Sequence, residues 1–208
     1  MEIMTVFDTQ TPETVKKVAR SLTDWRYDLP MPTNDARCIG FILEQSIALH
    51  LQKVLPQLEI SLGGAIEYPN LRVAGPEGVF AFEIKASPRK RQISNRVKSP
   101  ESILRIYPQF AGHWVVILFY ILADDRLHLA EIDACILQLW RYAAAAFKDM
   151  SAICALGSLE QILRQKPSDK AFRTEREFLD FCSLMAGHPG TTAQRNAAVR
   201  EWLRDRKQ

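Results

Sequence analysis

At 208 residues, 47% hydrophobic and 25% charged, the chain has the size and balance of a globular protein able to bury one sizeable core. A net charge of +3 is only mildly basic and does not by itself select a partner. Cys38, Cys135, Cys154 and Cys182 are widely separated and form no C-x-x-C pair, which argues against zinc and for buried thiols of a reducing compartment. The N-terminus has no basic region followed by a long apolar core, and the longest apolar run, Trp114 to Ala123, is far short of the roughly 20 residues of a membrane helix. The expectation is a soluble cytoplasmic protein with no membrane partner.

In chain order, Thr11-Pro12-Glu13-Thr14 predicts a helix start that runs to about Leu22 or Trp25, broken by Leu29-Pro30-Met31-Pro32. Asn34 or Asp35 then caps a long helix through about Leu55, stopped by Pro56. Ile39, Phe41, Ile42, Leu43, Ile47, Leu49, Leu51 and Val54 leave it little polar surface, so it is expected to be a central packed helix. Glu44 is the exception. Its neighbours at three and four residues, Gly40, Phe41, Ile47 and Ala48, are apolar, so its carboxylate needs a partner. A core ion pair with an arginine and a carboxylate aimed at a metal site are both open.

Leu58 to Leu62 alternates as a strand and turns through Gly63-Gly64. Tyr68 to Val73 and Val79 to Lys85 read as two strands of a hairpin joined by Gly75-Pro76-Glu77-Gly78. With a four-residue loop, Ala74 faces Val79 and positions summing to 153 lie opposite each other, which sets Asn70 across from Glu83. Period two puts Glu83 and Lys85 on one strand face. From Ser87 to Pro100 there is no acidic residue, and a short helix restarts at Ser99-Pro100-Glu101 and ends near Tyr107-Pro108. His113 to Ala123 is continuously apolar, as a strand covered on both faces is. Leu127 to Asp133 reads as one more strand. Helical patterns follow at Cys135 to Phe147, Ser158 to Arg164, Asp169 to Met185 and Thr191 to Arg206. These elements predict an α/β fold, a mixed central sheet flanked by helices: a single domain with its core at about 35–133 and a helical C-terminal part at about 134–208.

A carboxylate, a lysine and an amide thus converge beside the hairpin. Phosphodiester hydrolysis needs a divalent cation to neutralise phosphate and activate water, and Mg²⁺ is typically held by one or two carboxylates. A neighbouring lysine can orient the water and stabilise developing charge. Glu-x-Lys alone is common. Its conjunction with Pro69-Asn70, Glu44 and a basic stretch immediately downstream is far more specific.

On these residues the chain resembles the PD-(D/E)xK nuclease superfamily, and within it the type II restriction endonucleases. Pro69-Asn70 matches the first half of the motif, Glu83-Ile84-Lys85 the second, and Glu44 the additional acid on a helix. The resemblance covers roughly residues 35 to 123 and implies a restriction-endonuclease-like core with Mg²⁺-dependent cleavage of double-stranded DNA, Mn²⁺ being able to substitute. It implies that Asn70, Glu83 and the Ile84 carbonyl hold the metal and that Glu44, Asn70, Glu83 and Lys85 serve catalysis. Asn70 stands where the family usually has aspartate. A natural variant, a site shifted to Glu67 and an aspartate replaced by asparagine are three open accounts, and the otherwise intact motif favours the last.

Arg89, Lys90, Arg91, Arg96 and Lys98 supply phosphate-neutralising charge, and with Ser87, Gln92, Ser94 and Asn95 they form the expected DNA-binding loop. His113 and His128 are read as structural or exposed. Trp140, Phe147, Phe172, Phe178 and Phe181 are read as helical core or dimer interface, with core favoured. Three functions are in play: a homodimeric restriction endonuclease at a palindromic site, a repair or recombination nuclease such as a mismatch nickase or junction resolvase, and a non-catalytic DNA-binding module.

Overall fold

The apolar segment after Asp35 coils into helix α1 (Ala36–Val54), with the Asp35 carbonyl accepting the Ile39 N–H at 3.2 Å as an N-cap does. The computed structural model describes residues 35–56, 58–63, 68–75, 78–88, 95–96, 100–123, 128–145, 154–155, 172–186, 188 and 190–205. The expected helices at 11–25 and 158–164 lie outside these residues. One stripe of α1, Ile39, Leu43, Ile47, Ala48 and Leu51, is buried. Phe41 and Leu49 on the other side are 54% and 53% exposed. The expectation of a central packed helix is therefore corrected: α1 covers one face of a sheet and turns Phe41 and Leu49 outward.

That sheet has five strands in the order β1-β2-β3-β5-β6. Strands β1 (Glu59–Leu62), β2 (Leu71–Gly75) and β3 (Gly78–Pro88) are antiparallel neighbours, and β3 pairs in parallel with β5 (Gly112–Ala123). The connection between the parallel strands carries β4 (Asn95–Arg96), helix α2 (Pro100–Ile106) and a 3-10 turn at Tyr107–Gln109. β6 (His128–Gln138) closes the far edge. The sheet is mixed and the class is α/β, as the sequence pattern predicts.

The hairpin register agrees with the sequence. Leu71 pairs with Phe82, Val73 with Phe80 and Ala74 with Val79. The ladder runs further than expected, because Gly75 pairs with Gly78 and shortens the four-residue loop by two. Gly78 has φ of +122°, a conformation that glycine alone adopts without strain. Phe80, Phe82 and Ile84 pack against α1 together with Leu71, Val73, Val116, Leu118 and Tyr120. Each fully buried side chain of this kind contributes about 1.5–3 kcal/mol. Val115 to Tyr120 are all buried, as the continuous apolar run requires.

β2 begins only at Leu71, so Tyr68, Pro69 and Asn70 precede the ladder rather than forming it. The Tyr68–Pro69 peptide bond is cis. This segment passes directly over Gly63, whose N–H donates to the Asn70 carbonyl at 2.8 Å. A Cβ on Gly63 would lie 2.1 Å from the Pro69 carbonyl oxygen. Gly63→Ala is therefore expected to cost about 1–3 kcal/mol or more, because backbone on both sides must give. Urea denaturation measures it, and wild-type stability in the variant would overturn this account of the close approach.

The helix expected from Cys135 starts only at Leu139, as α3 (Leu139–Ala145), because β6 continues to Gln138. Ile132, Ala134 and Ile136 recur at every second residue, a strand period that the helix-forming alanines and leucines obscure. The chain divides into two compact units, residues 1–91 with 110–137 and residues 92–109 with 138–208. The first holds the five-stranded sheet. In the second, β4 pairs antiparallel with β7 (Cys154–Ala155), and helices α2, α3, α4 (Glu175–Ala186) and α5 (Thr192–Asp205) accompany it. Thr174 Oγ1 accepts the Glu177 N–H at 3.2 Å, a capping contact that starts α4 six residues later than expected. Phe172, Phe178 and Phe181 are buried as expected, and Trp202 joins them with its ring 5.0 Å from Phe181. Cys38 and Cys182 are free thiols, but only Cys182 is buried. No helix among the described residues is long and apolar enough to cross a membrane.

Candidate functional site

Strand β3 runs past the end of β2. The ladder stops at Leu71 and Phe82, so beyond that pair β3 has lost its neighbour on one side. Asn70 fills the next place with its side chain: its Oδ1 accepts the Ile84 N–H at 2.8 Å. The amide oxygen thus stands in for the strand carbonyl that is missing there. The N–H and C=O of one extended residue point to the same edge, so the Ile84 carbonyl faces this opening as well.

Glu83 and Lys85 leave β3 on one face, and Lys85 Nζ donates to Glu83 Oε1 at 2.5 Å. Glu83 is only 6% exposed, and its Oε2 has no hydrogen-bond partner among the described residues. A buried charged acceptor left unmade is costly, and here it leaves one carboxylate oxygen able to bind something further.

Glu44 on α1 is half-buried. Burial first, and then the negative charge of Glu83, push its pKa up to about 7, while Lys85 opposes the shift. It makes no ion pair among the described residues, and of its two open readings the core ion pair with an arginine is not the one seen there: the charges it feels are those of Glu83 and Lys85. The folded carboxyl keeps its proton to about pH 7, against 4.5 for an ordinary glutamate, so the folded state binds the extra proton between those values. Stability from this group is present below the lower value and is lost as pH rises through the upper one. Glu44→Gln should remove that dependence, and the variant should gain on the wild type between the two values in urea titrations. A stability difference that stays constant with pH would refute the assignment.

Glu83, Glu44 and the Ile84 carbonyl are the oxygen donors available to a cation. No group of three His, Cys, Asp or Glu side chains among the described residues forms a metal cage. Mg²⁺ does not require one, since it keeps several waters and takes one or two carboxylates plus phosphate oxygens. Two carboxylates, Glu44 with its proton affinity raised beside Glu83 and Glu83 with an unpartnered buried oxygen, fit a divalent cation.

The structure brings together Glu44, Asn70, Glu83, Ile84 and Lys85. The expected DNA-binding residues fare differently. Ser87 is buried and still part of β3, paired with Phe119, with its hydroxyl 3.5 Å from the Pro88 carbonyl. The expectation that it opens an exposed loop is corrected, because β5 keeps the strand going. Asn95 and Arg96 lie in β4, a short strand rather than a loop. Arg89, Lys90, Arg91, Gln92, Ser94 and Lys98 lie outside the described residues, as does Glu67.

Three residues that shape the site escape the sequence motif. Gly63 holds the Asn70 backbone, and Tyr68 and His113 meet each other. Tyr68 Oη lies 2.7 Å from His113 Nδ1, both residues buried. Burial, then the Glu83 charge, raise the Tyr68 pKa, which keeps the phenol protonated. Glycine before a strand was a visible turn signal. The tyrosine and histidine are 45 residues apart and carry no local signal of their contact. Comparison with protein-family models and with curated proteins finds no match for this chain.

Proposed function

We propose that the chain is a Mg²⁺-dependent endonuclease of the type II restriction kind, cleaving double-stranded DNA, with Mn²⁺ able to substitute. The observation that carries this reading is Glu83, buried with one oxygen held by Lys85 and the other without a partner, on a strand edge where Asn70 is pinned. Glu83 and the Ile84 carbonyl hold the metal, and Glu44 adds a second carboxylate. When bound, the metal neutralises phosphate charge and lowers the pKa of a water. Lys85 is placed to donate to that water or to a phosphate oxygen as charge develops. Two copies related by a two-fold axis match a palindromic site.

The test is a plasmid digest by the Asn70→Asp chain with Mg²⁺, alongside linear, nicked, mismatched and branched duplexes. Discrete fragments from intact duplex support the restriction reading. Cutting confined to mismatched or branched DNA supports a repair or recombination nuclease instead. The uncharged amide of Asn70 favours the third reading, a non-catalytic DNA-binding module, which predicts duplex binding that Asn70→Asp does not convert into cleavage.

A further inference from the structure

We propose that Tyr68 and His113 are a positioning pair, holding the segment from Tyr68 to Asn70 so that Asn70 Oδ1 stays on the Ile84 N–H beside Glu83. Its effect on cleavage rests on the nuclease reading; its effect on the strand edge does not.

The two residues are 6% and 4% exposed, and their rings stack with centroids 5.8 Å apart at an interplanar angle of 11°. Phe110 closes the far side of the histidine edge-on, 5.4 Å away at 80°. His113 lies on β5 opposite Ala81, which shares a strand face with Glu83. Tyr68 lies two residues before Asn70. The hydroxyl–imidazole contact therefore ties the Asn70 segment to β5 across β3. It joins two other anchors, the Gly63 N–H on the Asn70 carbonyl and the Asn70 amide on Ile84. Stacking alone leaves a ring free to slide in its plane, and the hydrogen bond restrains that coordinate. Their hydroxyl and imidazole are spent on each other, so their action runs through Asn70.

Tyr68→Phe keeps the ring and its burial and deletes only the hydroxyl, so it tests position separately from packing. In the otherwise unchanged chain, amide exchange at Ile84 should accelerate about tenfold while Phe80, held in the β2–β3 ladder, is unchanged. In the Asn70→Asp chain the same substitution should lower kcat about tenfold with KM for DNA unchanged, as a small misplacement of reacting groups does. His113→Gln should do the same, and the double variant no more than either single one. Parallel acceleration at Ile84 and Phe80, or none at either, overturns the proposal. A loss expressed in KM also overturns it. If the Asn70→Asp chain cleaves no DNA, the nuclease reading fails, and the Ile84 exchange still decides the positioning role.

Discussion

On the proposed nuclease reading, Asn70→Asp is expected to raise Mg²⁺-dependent cleavage of duplex DNA by about 100- to 1000-fold, equivalent to about 3–4 kcal/mol of barrier. The substitution is nearly isosteric. One carboxylate oxygen can keep the 2.8 Å bond from the Ile84 N–H that the amide oxygen now accepts. The other replaces an NH₂ group, a donor that repels a cation, with a charged acceptor. The third carboxylate also changes the resting protein. It adds repulsion to a site where Glu83 already raises the proton affinity of Glu44, so the metal-free variant is less stable than the wild type. Mg²⁺ then raises the melting temperature of the variant more than that of the wild type. Initial rates on plasmid DNA and thermal melts with and without Mg²⁺ measure both effects. Unchanged cleavage with an unchanged Mg²⁺ response would sink the metal-site reading.

The hairpin was legible because two local rules act together. Period two assigns faces, and the turn fixes register, so the pairing of Ala74 with Val79 and the shared face of Glu83 and Lys85 follow without tertiary information. The helix after Asp35 was legible from its cap and its terminating proline. What local rules missed is what depends on where neighbours stop. β2 ends at Leu71, and only for that reason does Asn70 turn its amide to the Ile84 backbone rather than lying beside Glu83 in a ladder. β6 is longer than its composition suggests, and Ser87 remains in β3, because long partner strands extend pairing past the residues that prefer it. Phe41 and Leu49 read as core because hydrophobicity does not say which side of a helix has a sheet beneath it. The contact of Tyr68 with His113 spans 45 positions and exists only in three dimensions.

Lys85→Ala destabilises the fold by about 3–5 kcal/mol, the cost of leaving one member of a buried ion pair alone. The side chains of Lys85 and Glu83 are 14% and 8% exposed, and their 2.5 Å contact is the only one that either Glu83 oxygen makes among the described residues. Without the lysine, both oxygens are buried and unpartnered. For a protein of this size the melting temperature falls by roughly 10 °C. A lost charge, rather than lost packing, causes this, so Lys85→Met should be almost as damaging despite filling the space. Adding Glu83→Gln to either variant should recover most of the loss, because the burial cost of an uncompensated charge disappears. On the proposed nuclease reading, in the Asn70→Asp chain assayed at a temperature where every variant is folded, Lys85→Ala is expected to abolish cleavage and the Glu83→Gln double variant not to regain it. Stability and activity thus separate: one returns when the charges are removed together, and the other requires both charges in place. A double variant that recovers both would make the pair a structural ion pair and nothing more.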